Sequence, residues 1–192
     1  IASRAERSGA ADRAMARLRA EGRRPFLIPL GASTAVGAMG FVAAVAELVE
    51  QGVRPDVIVH ASSSGGTQAG LVAGVALNGL ETRVIGVSAD DSAASISSTV
   101  RALVRGVEGL ASFDGPVEVD DSRVGDGYGL PTAASREAQE LAARTEALFV
   151  DHTYTAKAFG ALIANVREGG FVSDETVLFW HTGGQVGLFA QS

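Results

Sequence analysis

The chain has 192 residues, 46 % of them apolar, which is material for one domain or one and a half with a sizeable core. Its formal net charge of −6 gives a nucleic-acid role little electrostatic support, and no apolar run approaches the roughly 20 residues that cross a membrane. The absence of cysteine excludes disulfides and thiolate metal sites and is compatible with a reducing compartment, so the cytoplasm is the expected location.

The elements follow in chain order. Ser8 to Glu21 reads as an exposed helix stopped by Gly22, and Pro25 to Leu30 as a short apolar strand followed by the loop Gly31–Thr34. Ala38 to Gln51 is a strongly apolar helix ended by Gly52. Val57 to His60 is a strand, Thr67 to Leu77 a small-residue helix, Thr82 to Ser88 a strand and Ala93 to Val107 a helix. Val117 to Asp120 is a fourth strand, and Asp121 to Pro131 a Gly-rich loop. Thr132 is the expected N-cap of a helix running to about Glu146. Leu148 to Val150 is a strand fragment, Ala156 to Arg167 a helix, and Val177 to Trp180 a final strand closed by His181–Gly184.

Strands alternate with helices and are continuous apolar runs, so the fold class is α/β: a doubly wound, mostly parallel sheet in three αβα layers. Ligands in such sheets sit at the carboxyl ends of the strands. Four polar or Gly-rich loops fall there: Gly31–Thr34, Ser62–Thr67, Asp121–Gly129 and His181–Gly184.

The segment Ser62 to Gly70 carries the strongest local signal. A strand enters a Ser/Gly loop that opens a helix, so backbone N–H groups and hydroxyls collect at a positive helix end suited to a phosphate. No Lys follows and the spacing is Gly-Gly-x-x-x-Gly, so neither the Walker A nor the dinucleotide fingerprint is satisfied. An ordinary strand-to-helix turn is the bland alternative. Asp90 at the end of the next strand fits a ribose hydroxyl in a dinucleotide site, but an Asp-Asp-Ser cluster is more often just a helix start. Tyr128 and Tyr154, the chain's two tyrosines, lie in loops expected to face the site and are candidate catalytic groups. His60, His152 and His181 have no metal-ligand spacing, and no metal is expected.

Five segments together resemble one family. They are Ile28–Ser33, Ser63–Gly70, Tyr128–Pro131, Tyr154–Lys157 and His181–Gly184. In this order they are similar to the C-terminal part of the D-cysteine desulfhydrase and 1-aminocyclopropane-1-carboxylate deaminase family, pyridoxal 5'-phosphate enzymes of the tryptophan-synthase-β-like fold. The resemblance implies that Ser63, Ser64, Gly65, Gly66 and Thr67 cradle the cofactor phosphate, and that Tyr128 and Tyr154 flank the substrate and the cofactor ring. The Thr155 position is acidic in the deaminase branch, where it meets the pyridine nitrogen; here Thr155 and Thr182 are the two candidates for that nitrogen.

A neutral hydroxyl leaves the ring a weaker electron sink than a carboxylate does, which favours β-elimination from a small amino acid of the D-cysteine or cysteate type. Ring opening of the deaminase type, or a non-catalytic module that binds a phosphorylated ligand, are the alternatives. The family's Asp-Pro-Val-Tyr reads Asp151-His152-Thr153-Tyr154 here, and its Gly before the lysine is Ala156. Lys157 is the only lysine and matches the family's second lysine, not the Schiff-base lysine. The resemblance therefore implies residues 1–35 as the end of a small domain and a crossover, and 36–192 as the large cofactor-binding domain. It also implies an N-terminal half of the enzyme, as a separate chain or a nicked portion, that supplies the Schiff-base lysine, and a homo-oligomer, with the isolated chain inactive. The start at Ile1 is read the same way, as a processed end or one piece of a longer polypeptide.

Overall fold

A computed structural model describes residues 6–189, and the outermost residues of the expected 1–35 and 36–192 segments lie outside that range. The chain divides into two compact units, 1–32 and 33–192. In the first, α1 spans Glu6–Ala20 and ends where Gly22 turns at φ 75° and its N–H meets the Arg19 carbonyl at 3.0 Å. The apolar run Pro25–Leu30 is not the expected strand: it is irregular and passes into a 3-10 turn at Leu30–Ala32. The physical reason lies in Pro25 and Pro29, which have no N–H to give to a ladder.

The second unit opens with α2, Ala35–Glu50, capped by the Thr34 hydroxyl on the Gly37 N–H at 2.9 Å. It continues through β1 (Val57–Ser62), α3 (Gly66–Leu77), β2 (Arg83–Ser88), α4 (Ala93–Arg105) and β3 (Glu118–Asp120), and then α5 (Ala133–Glu146), α6 (Thr155–Arg167) and β4 (Val177–Trp180). Thr132 caps α5 as expected, in a capping box with Ser135. Leu148–Val150 is not a strand. Its carbonyls are taken by side chains instead: Gln139 Nε2 donates to Val150 O at 3.0 Å and His181 Nε2 to Phe149 O at 3.1 Å.

The four strands are parallel, in the order β3-β2-β1-β4. β1 is buried along its whole length, including His60 and Ser62, as suits the central position that its apolar Val57–Val59 start implies. Ile58 packs into a core with Ala38, Val42 and Val45 of α2, Leu71 of α3 and Ile96 and Val100 of α4. Val57, Val59 and Ala61 face a second core with Ala158 and Ala161 of α6. Helices thus cover both faces of the sheet, the αβα arrangement expected.

Small residues let α3 lie close against α2. A Cβ added at Gly74 would fall 2.7 Å from Val45 Cβ, and one at Gly70 would collide with the Ala38 carbonyl oxygen. The strand order reverses at β1, with β2 following on one side and β4 arriving on the other. β4 pairs with β1 only from Val57 to His60, so Ala61 and Ser62 are flanked by β2 alone. That departure leaves the carboxyl end of β1 without a β4 neighbour, at a topological switch point, where ligands of such sheets bind.

Candidate functional site

The loop leaving β1 starts at this end of the sheet. Gly65 adopts φ +81°, a left-handed conformation that turns the chain into α3, and α3 has no side-chain cap. Its first N–H groups point outward at the positive end of the helix. Gly66 is required by close approach, because a Cβ there would lie 2.7 Å from Ser33 Oγ. The surrounding hydroxyls set the loop's shape. Ser62 Oγ donates to Gln68 Oε1 at 2.9 Å, Ser63 Oγ to an Asp90 carboxylate oxygen at 3.0 Å, and Ser33 Oγ to Ser64 Oγ at 2.8 Å. Ser63, Ser64 and Thr67 are half-buried and Gly65 and Gly66 buried. Backbone donors, an uncapped helix N-terminus and partly exposed hydroxyls lie together here, the donor set that suits a phosphate monoester.

Asp90, at the end of β2, accepts from Ser63, so it forms a wall of the cradle. Its charge also reaches Tyr154 and Lys157. Tyr154 is the N-cap residue of α6 and Tyr128 comes from the Gly-rich loop between β3 and α5. Their hydroxyls hydrogen-bond to one another, and their rings meet edge to face with centroids 5.7 Å apart. Burial, then the bond to Tyr128, pushes the Tyr154 phenol well above its ordinary pKa, so it stays protonated and can donate. Tyr128 is 54 % exposed and accessible to a ligand.

The other expected residues are placed as follows. Thr155 is buried, and its hydroxyl is engaged: it donates to an Asp151 carboxylate oxygen at 2.8 Å, accepts from the Asp151 N–H at 3.0 Å and lies 3.3 Å from Gly183 O. Thr182 is exposed in the loop after β4. His181 is braced on both ring nitrogens, donating from Nε2 to Phe149 O and accepting the Gly183 N–H at 2.9 Å on Nδ1. That fixes its tautomer and makes it a support for the loop. His152 is buried with Nδ1 unpartnered, and burial followed by nearby Arg136 lowers its pKa. Among the described residues no group of His, Asp and Glu is arranged to hold a metal ion.

Three contributors escaped the sequence reading. Ser33 braces the cradle, and its position in the Gly31–Thr34 loop was the available signal. Asp151 caps α6, accepting from the N–H groups of Thr153, Tyr154 and Thr155 at 2.9 to 3.0 Å; an Asp just ahead of a helix is that signal. Gln68 lies over Gly86 and donates to Glu118 O at 2.6 Å, tying α3 to the sheet beneath the cradle. Nothing in its sequence context marks that role.

Known proteins resemble this chain over nearly its whole length. The chain is 37 % identical over 179 residues to D-cysteine desulfhydrase from Salmonella typhi, covering 91 % of this chain and 55 % of that protein. The same figures hold for the D-cysteine desulfhydrase of Salmonella newport. A crystal structure of an ACC deaminase homologue superposes with a TM-score of 0.87 at 31 % identity, over 97 % of this chain and 57 % of that one. The chain thus spans about half the length of the curated relatives it matches. Residues 3–183 match the family described as pyridoxal-phosphate dependent enzyme. With this match across nearly the whole chain, the protein belongs to the pyridoxal-phosphate dependent enzyme family.

Proposed function

We propose that this chain provides the phosphate cradle and the tyrosine wall of a lyase that performs β-elimination on a small amino acid of the D-cysteine or cysteate type. The observation that carries the reading is a single linked constellation. The cradle touches Asp90 through Ser63, the charge of Asp90 is felt at Tyr154, and Tyr154 bonds to Tyr128. The similarity to D-cysteine desulfhydrases supports the same choice.

The cofactor, when bound, supplies a conjugated ring that accepts the electron pair left when the substrate's α-proton is removed. Gly65, Gly66, Thr67 and the backbone around Ser63 and Ser64 hold its phosphate. Ser63's own proton is directed to Asp90, so its side chain shapes the cradle, while Thr67 is the hydroxyl that turns to the anion. Tyr154 holds a proton against the site, and the more exposed Tyr128 orients the substrate. Thr182 takes the ring nitrogen, because the Thr155 hydroxyl is already committed to Asp151. A neutral partner there favours loss of a leaving group over ring opening.

The Schiff-base lysine comes from the remaining half of the enzyme, because Lys157 is buried and spent on backbone carbonyls. Borohydride reduction of the complete, cofactor-loaded enzyme, followed by peptide mapping, should place the label outside residues 1–192. Label on Lys157 would overturn that assignment. Incubation with D-cysteine should release sulfide. If only 1-aminocyclopropane-1-carboxylate is consumed, the deaminase reading replaces this one.

A further inference from the structure

Lys157 lies in the first turn of α6 and is 2 % exposed. Its Nζ donates to Val124 O at 2.7 Å, to Gly127 O at 2.9 Å and to Ala89 O at 3.3 Å. An ammonium has three protons, and here it has three carbonyl acceptors. Two belong to the Gly-rich loop and bracket Gly125 and Asp126; the third is the end of β2.

The loop needs such an anchor. Gly125, Gly127 and Gly129 all have positive φ, at 68°, 142° and 76°. A segment so rich in glycine loses much conformational entropy when fixed, about 1–2 kcal/mol per residue for the backbone. Its own backbone offers little in return, a single Leu130 N–H to Gly127 O turn at 3.3 Å. Tyr128 follows directly after the second anchored carbonyl.

We propose that Lys157 is a positioning residue, whose buried ammonium clamps the Gly-rich loop onto the end of β2 and so holds Tyr128 against Tyr154. The clamp is a property of this chain's own residues; only its service to the substrate rests on the function proposed above. The ammonium works through three fixed carbonyl dipoles in a site without bulk water, where charge-assisted hydrogen bonds are shorter and stronger than neutral ones.

The test is hydrogen exchange read peptide by peptide, with and without added pyridoxal phosphate. Lys157→Met keeps the length and bulk of the side chain but none of its donors. It should speed exchange across residues 121–129 by tenfold or more while α3 keeps its protection. In the complete enzyme it should raise the substrate KM and leave pyridoxal-phosphate affinity unchanged. Lys157→Ala with added n-propylammonium should regain protection of the loop, and n-propanol should not.

Unchanged exchange in Lys157→Met would overturn the proposal, because packing alone would then suffice. Equal rescue by propanol would do the same. Should neither variant fold, amine labelling of the unaltered protein decides: a Lys157 that acylates as fast as a free lysine is not clamped. Loss of cofactor binding in the unaltered protein would defeat the functional reading and leave the exchange results standing.

Discussion

Two helix N-termini make the same kind of junction, and they are finished in opposite ways. At α6, Asp151 supplies a carboxylate that accepts three backbone N–H groups and the Thr155 hydroxyl. At α3, Gly65 stands at the cap position and no side chain closes the end. The positive pole of α6 is neutralised from within the chain, whereas that of α3 is left for an anion from outside. Each helix follows a short polar loop, a Ser/Gly loop at α3 and Asp151–Tyr154 at α6. The difference lies in where one carboxylate points: it makes Thr155 part of a closed cap and leaves the α3 terminus, the proposed phosphate site, without one.

The contrast can be broken from several directions. The largest effect is expected at the platform of the open end. Gly70→Val would drive a side chain into the Ala38 carbonyl and Phe41 and part α3 from α2. A loss of about 3 kcal/mol or more in urea denaturation should follow. Stability within a fraction of that value would show that α3 is not rigidly seated.

Acid should act next, through β1. His60 is fully buried, with Nδ1 on its neighbour's carbonyl and Nε2 unpartnered, and burial lowers its pKa from 6.5 to about 4. The unfolded chain binds this proton more readily than the folded one. Stability is therefore complete above pH 6.5, falls as the pH drops to about 4 and is flat below, as far as this group is concerned. The total is roughly 3 kcal/mol. His60→Leu should remove this part of the acid sensitivity in pH-dependent denaturation, and a variant as acid-labile as the parent would contradict it.

Opening the closed end should cost less. Asp151→Ala removes the cap of α6 and should lower stability by about 2 kcal/mol. It should also make the α6 terminus resemble that of α3, measurable as a second, weaker inorganic-phosphate site by 31P NMR. The smallest effect is expected at the cradle wall. Ser63→Ala loses one part-buried bond to Asp90, about 1 kcal/mol. It should weaken pyridoxal-phosphate binding several-fold without abolishing it, since the backbone donors remain.

Much of this was legible in the chain. The apolar stretches Val57–Val59, Val84–Val87 and Val177–Trp180, which do not alternate with polar residues, pointed to the parallel sheet, because strands covered by helices on both faces carry such stretches. The Ser/Gly loop marked the turn into α3, since positive φ at Gly65 and close approach at Gly66 demand glycine. Pro25–Leu30 and Leu148–Val150 misled because apolar character says nothing about whether a ladder partner is available. In the first, two prolines removed donors; in the second, Gln139 and His181 took the carbonyls. The engagement of the Thr155 hydroxyl was not visible either, since it depends on Asp151 folding back onto its own helix. The role of Lys157 was hidden for a simpler reason. Its partners are backbone carbonyls from loops 30 to 68 residues earlier, and carbonyls leave no mark in a sequence.

The burial of the chain's only lysine also gives it a built-in report on its own integrity. A lysine-specific endoprotease finds one side-chain recognition point in these 192 residues, inside the first turn of α6 and closed under a loop. Cleavage there requires that loop to lift and that helix to fray, so digestion rate at low protease measures the population of the opened form. Added pyridoxal phosphate or a substrate analogue should slow that cut in proportion to how firmly it seals the Gly-rich loop.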